Sequence, residues 1–206
     1  MKIVQTPVGH MEVFCYLVHD EASGEGILID PAGDEDRLLD LLREHGVRLR
    51  YIVNTHGHPD HTCGNGTLRA NTGARIVMHE IDDDFFQTRE AQQWAAMMGF
   101  TPSPPADLRV HDGSELSFGS LTLKFLHTPG HTPGACCLLV DGNLFTGDTL
   151  FVGAVGRTDL PGASFDQLLE SLRTKILSLP PDTVVWPGHD YGDRPSSTVR
   201  QEMEHN

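Results

Sequence analysis

The chain has 206 residues, enough to bury a sizeable core and most simply one domain spanning 1–206. Its formal net charge of −14 argues against a nucleic-acid partner, which needs a basic footprint, and against an anionic membrane surface. The N-terminus (Met1-Lys2-Ile3-Val4-Gln5) lacks a basic start followed by a long apolar stretch, and no apolar run reaches transmembrane length. A reduced cytoplasmic setting is the default expectation, and the oligomeric state stays open.

In chain order, β and α units alternate. Residues 1–8, 12–18 and 26–30 read as strands. A helix is predicted from about Asp34 to His45, opened by acidic residues, striped by leucines at 38, 39, 41 and 42, and stopped by Gly46. The apolar run ending at Asn54 is a buried strand, followed by a short helix near 65–72 and a strand at 75–79. Residues 81–98 read as helical, with Trp94, Met97 and Met98 as core residues. Thr101-Pro102-Ser103-Pro104-Pro105 reads as a loop and a candidate rim over a site. Strands are expected over 115–127, 135–140 and 143–147. Ser164 with Gln167 suggests a capping box for a helix that carries Phe165, Leu168, Leu169, Leu172 and Ile176 on one face. A strand at 183–186 follows. Periodicity alone supports mixed α/β with layered packing.

The densest chemistry lies in Thr55-His56-Gly57-His58-Pro59-Asp60-His61. Gly57 and Pro59 rule out a regular helix through this segment, so three imidazoles and a carboxylate fan out from a loop at a strand end. Neutral imidazole and carboxylate are donors for zinc, manganese or iron. Histidine tracts also occur as unstructured metal scavengers, but here the spacing is compact and a strand delivers it. Downstream, His131 sits between two Pro-Gly pairs, Asp148 follows the run 143–147, and His189 follows 184–186. Each is weak alone; together they place polar groups wherever an apolar run stops, as active sites are built. Both His56 and His131 leave strands beside threonine and glycine, a faint internal echo. No Cys-x-x-Cys occurs: Cys15, Cys136 and Cys137 read as core, and Cys63 as packing beneath the site rather than lining it.

His56-x-His58-x-Asp60-His61, then His131, Asp148 and His189 in that order, resemble the metal-binding set of the metallo-β-lactamase-fold superfamily. Gly156-Arg157-Thr158-Asp159 and Pro187-Gly188-His189-Asp190-Tyr191 are similar to segments of its glyoxalase II-like (hydroxyacylglutathione hydrolase-like) branch, close to the persulfide dioxygenases. The resemblance implies a four-layered αβ/βα sandwich. It implies that His56, His58 and His131 hold one metal and Asp60, His61 and His189 the other, with Asp148 bridging. Two divalent ions are expected, zinc first, iron or manganese as alternatives. A shared water, its pKa lowered from about 15.7 to around 7, would attack a carbonyl. Two such ions, two aspartates and one hydroxide leave one net positive charge to stabilise the oxyanion. Asp60 is the candidate to orient the nucleophile or carry a proton. The expected activity is a thioesterase of the glyoxalase II type on a glutathione or other thiol ester. Arg157 and Tyr191 are candidate substrate contacts, with salt-bridge and packing roles as the alternatives.

Two features narrow this. Only seventeen residues follow His189, so the contacts by which glyoxalase II enzymes grip glutathione cannot be assigned. Asp148 stands where zinc β-lactamases carry other residues, which disfavours antibiotic hydrolysis, and the acidic charge disfavours transfer-RNA processing. The rival reading is a persulfide dioxygenase with one iron held by His56, His131 and Asp148, a facial triad suited to iron(II) oxygen chemistry. Leu160-Pro161-Gly162 resembles the hydrolase-type members and tips the expectation toward hydrolase. A non-catalytic metal protein is the third reading, disfavoured because seven donors for two ions leave open positions. Histidines 10, 19, 45, 79, 111, 127 and 205 are expected to be replaceable without metal loss.

Overall fold

The computed structural model describes residues 1–206. Strands β1 (Lys2–Val8), β2 (Val13–His19) and β3 (Glu25–Ile29) form an antiparallel ladder. Helix α1 (Glu35–Glu44) leads to β4 (Arg48–Val53), and α2 (Pro59–Thr62) with α3 (Asn65–Thr72) leads to β5 (Arg75–His79). Helices α4 (Glu80–Phe86) and α5 (Arg89–Met97) lead to β6 (Leu108–Val110). These six strands lie side by side in chain order, with β3 to β6 mutually parallel. The second half contributes β7 (Glu115–Phe118), β8 (Leu121–His127), β9 (Cys136–Val140) and β10 (Asn143–Gly147) as an antiparallel meander. A small hairpin, β11 (Leu150–Phe151) and β12 (Ala154–Val155), precedes α6 (Phe165–Ser171), which runs into a π-helical turn at Leu172–Ile176. Then come β13 (Val184–Pro187), β14 (Ser197–Thr198) and α7 (Val199–His205). The second sheet has the order β14-β13-β10-β9-β8-β7.

Side chains explain the layering. Alternate residues of the central strands point to opposite faces. Tyr16, Ile27, Ile29, Val53 and Val77 meet Phe118, Leu123, Phe125, Leu138 and Phe145 between the sheets. The outer face of the first sheet (Leu17, Leu28, Ile52, Ile76) is covered by Leu38 and Leu42 of α1 and Leu68 of α3. The outer face of the second (Cys137, Leu144, Val185) is covered by Leu168 of α6, Leu172 and Ile176 of the π turn, and Val199 of α7. Both faces being buried, β2 and β3 read as continuous apolar runs rather than alternating ones. The result is the four-layered αβ/βα sandwich expected. Cys15, Cys136 and Cys137 are buried and all four cysteines are free. No helix is long and apolar enough to cross a membrane.

Several local expectations differ. Residues 115–127 are two strands, because Gly119 takes φ +57° and turns the chain. The 81–98 segment is two helices broken at Thr88, whose side chain caps α5. Trp94, Met97 and Met98 are 39%, 86% and 56% exposed, so they are not core. On α6, Phe165 and Leu169 are exposed, leaving Leu168, Leu172 and Ile176 as the buried stripe. Ser164 accepts the Gln167 N–H, but the reciprocal box forms at Thr198 and Gln201, capping α7, which carries no strong apolar period in the sequence. The 101–105 loop packs back through Ser103, whose hydroxyl accepts from Asn65.

Candidate metal centre

Five strand exits of the two sheets open at one rim. Asp30 follows β3, the His56–His61 segment follows β4, His131 follows β8, Asp148 follows β10 and His189 follows β13. Pro59 does not forbid helix as expected; it occupies the first position of the one-turn helix α2, where its missing N–H costs nothing. Asp60 and His61 therefore project from a helical turn, and His58 from the residue before it.

The seven predicted donors come together. Donor atoms of His56, His58 and His131 lie within 4.8 Å of one another, as do those of Asp60, His61 and His189. Asp148 spans the two groups: its Oδ1 is 3.4 Å from His61 Nε2, and its Oδ2 is 3.6 Å from His131 Nε2 and 3.5 Å from His189 Nε2. Asp60 Oδ2 is 3.7 Å from His61 Nε2 and 4.0 Å from His189 Nε2. His58 Nδ1 is 3.0 Å from His131 Nε2. His56 Nε2, His61 Nε2 and Asp148 Oδ1 are buried with no hydrogen-bond partner. Orphaned polar atoms converging in the interior are costly unless something binds them. Lone pairs from imidazole and carboxylate fit divalent cations.

A supporting layer sets which atom of each ring faces inward. Asp30, 1% exposed at φ +49°, accepts from the Thr55 N–H (2.8 Å) and hydroxyl (2.6 Å). Its Oδ2 also sits 3.1 Å from His61 Nδ1, which turns His61 Nε2 toward the centre. His131 Nδ1 donates to the Arg157 carbonyl at 2.8 Å, leaving its Nε2 inward. Thr55 Oγ1 is 3.1 Å from His56 Nδ1. Such partners fix ring orientation and tautomer. Asp82 on α4 is fully buried and ties the two histidine loops together. It accepts from the Gly57 N–H (2.8 Å), the Thr132 hydroxyl (2.7 Å) and the Gly134 N–H (2.6 Å). Neither Asp30 nor Asp82 was among the sequence candidates. Asp30 carried the usual signal, an acid closing an apolar strand; Asp82 carried none, sitting in an acidic run at a helix start.

Of the candidate substrate contacts, Arg157 forms a bidentate pair with Asp159 (2.7 and 2.8 Å), and Tyr191 stacks on the His189 ring at 5.0 Å and 7°. Cys63 is half-buried and belongs to neither donor group.

Burial governs the charge states. It holds His56 well below the usual imidazole range and His58 down to about 3, with neighbouring imidazoles adding to the effect. At His61 burial pulls the same way but is outweighed by Asp148, Asp60 and Asp30, which raise its pKa. Asp148 is the counterpart: burial would raise it, and the surrounding His61, His189 and His131 bring it below the usual carboxylate range.

An αβ/βα sandwich with a histidine and aspartate cluster at the strand ends of both sheets defines a metalloenzyme scaffold. The chain belongs to the metallo-beta-lactamase superfamily, which it matches over residues 8–189. It is 35% identical over 197 residues to the mitochondrial persulfide dioxygenase ETHE1 of Homo sapiens, covering 94% of this chain and 70% of that protein. It is 32% identical over 210 residues to the hydroxyacylglutathione hydrolase GloC of Haemophilus influenzae, covering 100% of this chain and 97% of that protein. Among solved structures, BLEG-1 B3 metallo-beta-lactamase superposes with a TM-score of 0.90 at 31% identity, covering 100% of this chain and 98% of that one. TTHA1623 in a di-iron-bound form superposes at 0.86 and 33% identity, covering 98% of each. The chain is thus similar to hydrolases and to dioxygenases alike.

Proposed function

We propose that the protein is a binuclear metallohydrolase that cleaves a thioester. In this reading His56, His58 and His131 would hold one ion and Asp60, His61 and His189 the other, with Asp148 shared between them. The observation that carries it is Asp148: one carboxylate stands within 3.4–3.6 Å of histidines from both donor groups. When bound, the ions supply a water ionised near neutral pH and a Lewis acid for the carbonyl. Zinc is the first expectation, with iron or manganese as alternatives. The chain's own residues do the rest. Asp30 and the Arg157 carbonyl hold His61 and His131 in register, and a rigid constellation costs no reorganisation during reaction. Asp60, the most exposed carboxylate of the set at 21%, is suited to carry a proton between the nucleophile and the departing thiol. Similarity to GloC supports the thioester class, with a glutathione ester as one candidate.

The second reading is a mononuclear iron persulfide dioxygenase using His56, His131 and Asp148, favoured by the similarity to human ETHE1. Metal content per chain, in protein purified without added metal, separates them when combined with three assays: thioester hydrolysis, β-lactam hydrolysis, and oxygen uptake on glutathione persulfide. Two ions with thioester turnover and no uptake support the proposal. One iron with rapid uptake overturns it, and turnover confined to the β-lactam moves the substrate class to that of the BLEG-1 likeness.

A further inference from the structure

Beside the metal centre lies a cavity of about 470 Å³ with His58 in its wall. Its other walls are aromatic and aliphatic: Phe85 and Phe86 from α4, Trp94 from α5, and Leu160 from the loop after β12. The Phe86 ring meets His58 edge-on at 5.3 Å, and the Trp94 ring centre is 6.3 Å from that of His58. The far wall is held in place. Gly162 at φ +84° packs so closely that an added Cβ would lie 3.0 Å from Pro133 and 3.2 Å from Phe85. This accounts for Trp94 being 39% exposed on an otherwise amphipathic helix: it borders a cavity rather than a core. The volume is within the range of small-molecule sites. The only charged side chain in the wall is Glu90, and no lysine or arginine lines it. Arg157 lies outside the wall and its guanidinium is already engaged by Asp159.

We infer that this cavity is the acyl-side pocket of the enzyme and that it takes an uncharged apolar group, an alkyl chain or aryl ring. The inference rests on the thioesterase reading for its naming of the acyl side. An anionic group entering here would lose water, find no cationic side chain in the wall, and face Glu90. A glutathione moiety, with two carboxylates, is therefore not its occupant. The apolar group is the one that reaches His58, and the thiol portion lies elsewhere.

The test uses metal-loaded protein and thioesters of one uncharged thiol, N-acetylcysteamine, carrying acetyl, hexanoyl, phenylacetyl or succinyl groups. Since each methylene in an apolar pocket discriminates substrates by tenfold or more when well fitted, kcat/KM for hexanoyl and phenylacetyl should exceed that for acetyl by roughly tenfold at least. The succinyl ester should fall below acetyl. Trp94→Ala and Leu160→Ala should compress the series mainly through KM. A flat series, or succinyl as the best substrate, overturns the inference. Binding is read independently by titrating phenylacetamide against the tryptophan fluorescence of the protein. A saturable change that Trp94→Phe abolishes supports the pocket even where no thioester is turned over, in which case only the thioesterase reading falls. No change with an active enzyme overturns the pocket and leaves the thioesterase reading standing.

Discussion

Asp82 touches none of the proposed ligands, yet the geometry makes it the strut on which both histidine loops hang. Its carboxylate receives the Gly57 N–H between His56 and His58, and the Thr132 hydroxyl and Gly134 N–H just after His131. An Asp82→Asn amide can turn its oxygen to Gly57 and Thr132, but its NH₂ then opposes the Gly134 N–H. One charge-assisted bond is lost and a buried donor is stranded, at a cost of about 1.5–3 kcal/mol. Part of this is offset, because burial pushes the Asp82 carboxyl above its usual range and the amide escapes that desolvation. For a chain of this length, 1 kcal/mol moves Tm by roughly 2–4 °C, so a fall of about 3–10 °C is expected in thermal unfolding of the metal-free protein. Asp82→Ala strands all three donors and should cost about 3 kcal/mol or more. The sharper readout is metal affinity by competition with a chromophoric chelator. Both loops loosen together, so affinity should fall by about tenfold, the lower end of the range for ligands that lose a direct outer partner, because Asp82 reaches them only through their loops. Asp82→Asn with unchanged affinity, whatever its Tm, would refute the idea that this side chain aligns the two loops.

Asp148→Ala should lower kcat/KM by about a thousandfold or more, some 4 kcal/mol of barrier, and retained turnover would mean the centre is misread. Gly156→Ala places a Cβ 1.8 Å from the Asp148 carbonyl oxygen and 3.4 Å from His131 Cβ. Overpacking of that kind costs about 1–3 kcal/mol, and here it should also release metal, as emission spectrometry of the purified variant would show. In metal-free protein, nitrogen-15 shifts at pH 7 should show His56 and His58 neutral and His61 doubly protonated. The depressed folded-state values of His56 and His58 contribute stability present above about pH 6.5, the unfolded value, and lost as pH falls from there toward about 3 at His58. The raised value at His61 works oppositely: its contribution is complete below about pH 6.5 and declines as pH rises toward its folded value. Replacing His61 with Gln should therefore remove the part of the decline in metal-free stability that His61 causes as pH rises above about 6.5, measured by urea unfolding between pH 6 and 9, and leave the acid-side loss due to His56 and His58 in place.

How much was legible from residues alone depended on whether the signal was local. Strand exits were, because an apolar run followed by glycine or proline and a donor is a short pattern; His56, His131, Asp148 and His189 all have it. The long leucine stripe of α1 was legible for the same reason. The turn at Gly119 was not, since a lone glycine between two apolar runs is equally compatible with one strand. Trp94 was misjudged because helical spacing shows which residues share a face and not what that face meets. Here it meets a cavity beside His58. Asp82 was invisible because its three partners lie 25, 50 and 52 residues away, and nothing in a helix-start aspartate distinguishes a buried strut from an N-terminal charge.

The number of ions turns on His61. In the two-ion reading it is a ligand and must be neutral, with Asp30 holding its Nδ1 proton. In the one-iron reading it is left over: a fully buried imidazole among Asp30, Asp60 and Asp148, stable there as a cation. Those readings predict opposite responses to His61→Gln, which keeps an amide within reach of Asp30 but supplies no imidazole. If His61 binds the second ion, the variant should hold one equivalent of metal instead of two and lose hydrolysis. If His61 is a counter-ion to Asp148, the variant should keep its single iron and much of its oxygen uptake, because His56, His131 and Asp148 remain. Metal analysis of wild type and variant, prepared side by side, gives two equivalents falling to one on the first account and one staying one on the second. Two equivalents retained in the variant would contradict both and require a donor other than His61 for the second ion.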